Sequence, residues 1–294
     1  MPNRRICLAV LFGLANSYLL TACTELKGSK MQEIKFDLGK NIVETAKASG
    51  VPKFNVDSTA GLVQYEVHDI PAGITAKYIR SGYEVVLGAV HAFSISSDKE
   101  ISASLPVQSA RLGFSSKAFK THESAKAFVD QVISQFQKGS WQRYADPESR
   151  VLLTGRSSLL NEKGDLEFRY STPIDPGYKI SPKDWIAIVA EGIQYEWAGD
   201  GVLAVLDIKF NDYRETNPEM GLYYSIGLEF TDLANHIKKL DERIAQDNKE
   251  GDAKGWNSTA KYEASKKSRQ ALNKILEANA LKRGDSIVRI PPVK

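Results

Sequence analysis

The stretch from residue 193 to 210 constrains the fold more than any other. Gly199-Asp200-Gly201 separates two β-rich segments, 193–197 and 202–210. An Asp-Gly step supplies the positive φ angles of a tight hairpin turn at low steric cost, so the two segments pair antiparallel. Residues 222–230 supply the next strand after a polar connection containing Asn217-Pro218. The second half of the chain is therefore built on an antiparallel sheet.

The first third reads the same way. Residues 62–70 alternate, with Val63, Tyr65 and Val67 opposed to Gln64, Glu66 and His68, the pattern of a half-buried strand. Further strands are expected over 74–80, over 83–96 with a bulge or close approach at Gly88, and over 101–107 up to Pro106. A helix follows, capped by Thr121 or Ser124, with Ala125, Phe128, Val129, Val132, Ile133 and Phe136 at helical spacing and Gly139 as its stop. Beyond it, 151–153 is apolar and 166–170 alternates like a strand. Ser181-Pro182 places a cap before a proline at the first helical position, with Trp185, Ile188 and Val189 on the buried face. Thr231 caps a helix to about 246, residues 247–255 read as a polar loop, and Ser258 or Thr259 starts a helix to about 280 that Arg283-Gly284 ends. Residues 287–290 add an edge strand. Strands, helix, strands, helices is the order of an α+β fold with antiparallel sheet and packed helices. Two linked α/β lobes, 36–145 and 146–294 divided near Asp146-Pro147, and one continuous sandwich of sheet and helices both fit this order.

At the N-terminus, Arg4 and Arg5 precede an apolar run over 6–15 and a second patch over 18–20. This is the pattern of a secretory signal, and it is shorter than the roughly 20 apolar residues of a spanning helix. Leu20-Thr21-Ala22-Cys23 then resembles the bacterial lipobox. The resemblance implies a signal peptide over 1–22, lipid attachment (palmitate included) at Cys23 and a polar tether over 23–35. Thr24, rather than Asp, behind the cysteine resembles the pattern sent to the outer membrane, with the protein on its periplasmic face. Cys7 leaves with the signal, so the 272 residues from 23 onward keep no free thiol. Removing Arg4 and Arg5 leaves 37 basic against 36 acidic residues, a net charge of +1 that gives no reason to expect a nucleic-acid partner.

The search for chemistry yields no complete motif. Gly155-Arg156-Ser157-Ser158-Leu159 lacks the second glycine of a nucleophile elbow. There is no Walker loop and no Gly-x-Gly-x-x-Gly. His68, His91, His122 and His236 lack metal-ligand spacing, although His68 and His91 are placed to meet across a sheet. Glu196, Asp200 and Asp207 cluster in the hairpin, where turn chemistry explains Asp200 better than catalysis does. No cofactor and no metal are expected. Tyr195 and Trp197 share a strand face beside the turn, and Trp256 lies in a polar stretch. With Asp200, they are the candidate partner-binding residues, since exposed aromatics anchor interfaces. Lys266, Lys267 and Arg269 form a basic, solvated middle of the last helix.

Two stretches, Gly139-Ser140-Trp141-Gln142-Arg143-Tyr144 running to Leu153-Thr154-Gly155-Arg156, and Gln194-Tyr195-Glu196-Trp197 through Gly201, together with the lipobox, resemble the lipoprotein immunity proteins of type VI secretion systems. That family neutralises secreted phospholipases. The resemblance implies a non-enzymatic, membrane-anchored protein that blocks a toxin or effector by binding it, and it assigns a role by position only to Cys23. The alternative is a structural or assembly accessory lipoprotein of an envelope or secretion machine.

Overall fold

A computed structural model describes residues 31–144, 151–167 and 173–289. The expected signal, Cys23, the first part of the tether, the Asp146-Pro147 boundary and residues 168–170 of one expected strand lie outside these residues.

The chain begins with β1 (Glu33–Phe36), α1 (Ile42–Ala48), β2 (Asn55–Thr59), β3 (Leu62–Val67), β4 (Thr75–Tyr78), β5 (Val85–Leu87), β6 (Val90–Asp98), β7 (Ser109–Phe114) and α2 (His122–Phe136). It continues with β8 (Gln142–Arg143), β9 (Val151–Leu153), α3 (Pro182–Val189), β10 (Ile193–Gly199), β11 (Val202–Asp212), β12 (Leu222–Asp232), α4 (Leu233–Ala253), α5 (Ser258–Arg283) and β13 (Ile287–Arg289). The architecture is α+β. Its centre is an antiparallel eight-stranded sheet in the order β2-β3-β6-β7-β12-β11-β10-β8. The pairing of β7 with β12 joins strands from the two halves of the sequence in this one sheet, with Leu112 opposite Leu228 and Ala110 opposite Phe230.

One face of the sheet carries the main core. Phe93, Ile95, Leu112, Leu206, Leu228 and Phe230 meet residues of α1, α2 and α3 and of a small sheet ordered β1-β4-β5. Phe230 is central: its ring stacks on Tyr78 at 4.7 Å and lies 5.3 Å from Phe36. The helices follow from their caps. Thr121 and Ser124 form a reciprocal capping box on α2, and the Ser181 hydroxyl accepts from the Asp184 N–H ahead of Pro182 at the start of α3.

Four expectations are corrected. The polar tether does not extend to residue 35, because Glu33–Phe36 is β1 and Ile34 and Phe36 point into the core. The run over 83–96 is two strands in two sheets: the chain turns at Gly88-Ala89, where Ala89 takes a φ of +56°, and the irregular register falls at Val90/Ala92. Residues 101–107 form no strand. Pro106 has no N–H to give a ladder, and the neighbouring groups serve α1 instead, with Leu105 O accepting from Ile42 N and Val107 O from Gly39 N, each at 2.9 Å. Finally, most of the expected loop over 247–255 is the last part of α4, whose cap is Asp232 rather than Thr231.

Candidate partner-binding surface

α4 and α5 form a two-helix arm. At its start, the Asp232 carboxylate accepts from the Asn235 N–H at 2.8 Å, and Leu233 packs on Leu203 and Tyr144. The helix then carries the chain about 30 Å from the end of β12, at 1.5 Å per residue. Its inward residues recur every three or four positions: Leu233, Ile237, Leu240 and Ile244. Lys239 ties this part to the body through Asp98 at 3.1 Å.

The turn between the helices is tightly built. Gly251 lies in the last turn of α4, where any Cβ would overlap the Ser258 side chain. The Asp252 carboxylate accepts from both the Thr259 N–H, at 3.2 Å, and the Thr259 hydroxyl, at 2.5 Å. These bonds hold the Asp252 carboxyl below the usual carboxylate range. Trp256 N donates to Gly251 O at 2.9 Å, and Asn257 adopts a φ of +53°. The result presents the Trp256 ring to solvent, 57% exposed, with the Lys254 ammonium 4.9 Å from its centre.

α5 returns to the body and ends on Gly284 in the left-handed conformation, the C-terminal cap expected from the sequence. Its base is latched. Leu276 and Ala280 pack on Leu153, Asn279 donates to Glu162 O at 2.9 Å, and the Arg283 Nε donates to the Ser157 hydroxyl at 2.9 Å. Asp285 accepts from Ser157 through both N–H (3.1 Å) and hydroxyl (2.5 Å). Ser157, the serine of the incomplete elbow motif, is therefore a buried latch residue with its proton committed to a carboxylate.

The expected site residues separate. Tyr195 and Trp197 do share a face, but it is the core face: each is 2% exposed, Trp197 stacks on Phe136 at 4.0 Å, and burial pushes the Tyr195 hydroxyl up. They are withdrawn from any partner. The reason is the register of β10, which aligns them with Leu206 and Ala204 of β11 under α2 and α3. Asp200 is a turn residue with a φ of +46°, bound by Arg80. Of the four, only Trp256 stands exposed as an aromatic anchor. Glu196 and Asp207 lie on the other face of the sheet, and Asp207 pairs with Lys209 at 3.4 Å. His68 and His91 pair separately with Glu66 and Asp69, both at 3.5 Å. No group of three or more metal-ligating side chains is gathered among the described residues.

A crevice of about 230 Å³ lies between α2 and α3, lined by His122, Glu123, Lys126, Asp130, Trp185 and Ile186. Its polar groups are mostly engaged. The His122 Nδ1 lies 2.5 Å from the Tyr224 hydroxyl, which also accepts from the Trp185 Nε1 at 3.3 Å, and Lys126 meets Asp130 at 2.7 Å.

Reasoning from sequence assigned Lys266, Lys267 and Arg269 to solvent, but only Lys267 is on the exposed outer face; Lys266 and Arg269 are half-buried on the side turned inward. Ala260, Ala264, Lys267, Ala271, Lys274, Ala278 and Leu281 are all exposed and fall at alternating steps of four and three. That spacing marks a solvent-facing stripe of alanine and lysine that ends on Leu281, opposite the one that meets α4. Ile275, 50% exposed, and Leu281, 60% exposed, border or end it.

No family model matches the chain, nor does any curated protein or solved structure.

Proposed function

We propose that the chain is a lipid-anchored protein of the bacterial envelope that binds and neutralises a secreted toxin, with the α4–α5 arm meeting the partner. The observation that carries this reading is the arm's poor burial. The two long helices bury only Leu233, Gly251, Leu276 and Ala280, yet they leave Ile275 and Leu281, and the turn between them leaves Trp256, at least half exposed. Helices in proteins gain most of their stability from packing an apolar face, so an arm this exposed is suited to a partner's surface. The lipobox-like Leu20-Thr21-Ala22-Cys23 supports attachment to the periplasmic face of the outer membrane, and Cys23→Ala is expected to release the protein from membranes.

The test is a pull-down of the tagged full-length protein from detergent-solubilised envelope and from cells co-expressing neighbouring genes, followed by a toxicity assay. The reading expects one secreted protein, a phospholipase-type effector foremost, held stoichiometrically and inactivated. Recovery of a set of envelope-machine subunits, with no toxin neutralised, overturns it in favour of an assembly role.

A further inference from the structure

We infer that β2, at one edge of the eight-stranded sheet, is a docking site for an extended segment of a partner protein. The segment alternates apolar and basic residues and adds to the sheet as an antiparallel ninth strand. The site is a different element from the α4–α5 arm, and the inference does not rest on the arm's role.

The main chain of this edge is open. β2 pairs with β3 on one side only, and all five of its residues are exposed. Ala60-Gly61 joins the two strands with φ angles of +49° and +84°, the type I′ turn in which Thr59 and Leu62 form a hydrogen-bonded pair. An antiparallel ladder alternates. The N–H and C=O groups of Asn55, Asp57 and Thr59 therefore serve β3, and those of Val56 and Ser58 point away from the sheet. Among the described residues, no main-chain group outside the ladder takes them up. An extended backbone is the group that offers acceptors and donors at the matching spacing.

Other edges are blunted. At the opposite edge β8 has two residues, and beyond it Tyr144 N still donates to Glu196 O at 3.0 Å. The free side of β1 is closed by the bond from Lys35 N to Ser49 O at 2.9 Å. β2 carries no proline, no lysine and no bulge in its register with β3.

The two faces of β2 define the occupant's side chains. Val56 lies opposite Tyr65 on the core side of the sheet, where the Phe54 and Tyr65 rings meet at 5.8 Å and pack on the margin of the main core. Val56 itself is 57% exposed. An added strand with apolar residues on this side covers it and extends the core by one column. Lys99, which donates to the Ser58 hydroxyl at 3.3 Å, ends that apolar stretch. On the other face Asp57 lies diagonal to Glu66. Gln64 donates to Glu66 at 3.1 Å and His68 lies 3.5 Å from it. Asp57 receives the Thr59 hydroxyl at 3.0 Å and, among the described residues, no cation. A Lys or Arg opposite Asp57 completes the pair. A second copy of the chain fits less well. Paired about Asp57 it sets carboxylate against carboxylate, and paired about Val56 it sets Asn55 against Asp57, so neither register places a cation there.

The probe is a labelled, end-capped heptapeptide alternating valine and lysine, titrated with the full-length protein in detergent micelles and read by fluorescence anisotropy. It is expected to bind about tenfold more tightly than a twin with glutamate in place of lysine. N-methylation of its valines blocks the amides that meet Val56 and Ser58 and is expected to abolish binding. N-methylation of its lysines, whose N–H groups face away from β2, is expected to leave binding intact. Val56→Pro removes an outward N–H and no bond to β3, so binding is lost while the melting temperature stays close to that of the parent. Asp57→Lys is expected to reverse the preference between the lysine and glutamate peptides. Undiminished binding of the valine-methylated peptide overturns the inference, as does a preference for lysine that Asp57→Lys leaves unchanged. Absence of binding by the unmethylated peptide overturns it too. So does a dimer in sedimentation that Val56→Pro dissolves, which makes a second copy the occupant.

Discussion

Arg80 and Asp200 lie 120 positions apart, yet the Arg80 Nη1 donates to the Asp200 main-chain oxygen at 2.7 Å and lies 3.4 Å from its carboxylate. The same guanidinium donates through Nε to Asp37 at 3.0 Å and through Nη2 to Leu38 O at 3.0 Å. One side chain thus ties the small sheet at β1 and β4 to the tip of the β10–β11 hairpin. Arg80→Ala is expected to destabilise the protein by about 2–3 kcal/mol, since it strands the part-buried Asp37 carboxylate and two carbonyls. Asp200→Asn retains the carbonyl and tolerates the positive φ, so about 0.5 kcal/mol or less is expected. Asp200→Val forces a β-branched residue into that conformation and should cost about 1–3 kcal/mol. Urea denaturation of the three variants gives this ranking or contradicts it.

Gly199, one residue earlier, is a packing glycine. A Cβ there would overlap the Tyr83 ring and stand 3.0 Å from Trp141 Cε3. The Trp141 ring is held by a 3.1 Å bond from its Nε1 to Tyr83 O, and the Tyr83 ring packs edge-on against it at 5.3 Å. Gly199→Ala is therefore expected to lower stability by about 2–3 kcal/mol through overpacking. An unchanged melting temperature would show that the Tyr83 ring can move aside.

At the base of the arm, Asp285 satisfies the buried Ser157 N–H and hydroxyl. Asp285→Ala should leave the Ser157 N–H and hydroxyl proton without an acceptor, although the hydroxyl oxygen still accepts from Arg283, and cost about 2–3 kcal/mol. Hydrogen exchange separates a local effect from a global one: faster exchange over residues 276–289, with α2 still protected, is the expected pattern.

Acid should loosen the other attachment. The Glu100 main-chain N–H at 2.9 Å, and secondarily the Lys239 ammonium at 3.1 Å, hold the Asp98 carboxyl below the usual carboxylate range. The folded chain keeps this group ionised at pH values where the unfolded chain has protonated it. Its contribution is therefore complete above a pH of about 4 and fades as pH falls through the lower, folded value. Stability curves of the parent and Asp98→Asn should run parallel above that pH and converge below it; a constant gap down to pH 2 would contradict the assignment.

Much of the local structure was legible in the residues themselves. The β10–β11 hairpin forms where Asp200-Gly201 permits it, α2 and α3 start at Thr121 and Ser181, and α5 stops at Gly284. These features depend on φ preferences and on caps within a few residues of their targets, so adjacent sequence suffices to specify them. The alternation in β10 also placed Tyr195 and Trp197 together on one face. Which face the helices would cover was not in the alternation, because that depends on α2 and α3 arriving from elsewhere in the chain, and the covered face proved to be the aromatic one. The same holds for β1, where Ile34 and Phe36 of a polar segment become core only because β4 offers the strand a parallel edge. It holds again for α5, whose two stripes are equally visible as spacing. Packing against α4 and Leu153 takes one of them and leaves the other to solvent, a choice made by contacts between distant residues that no local preference encodes.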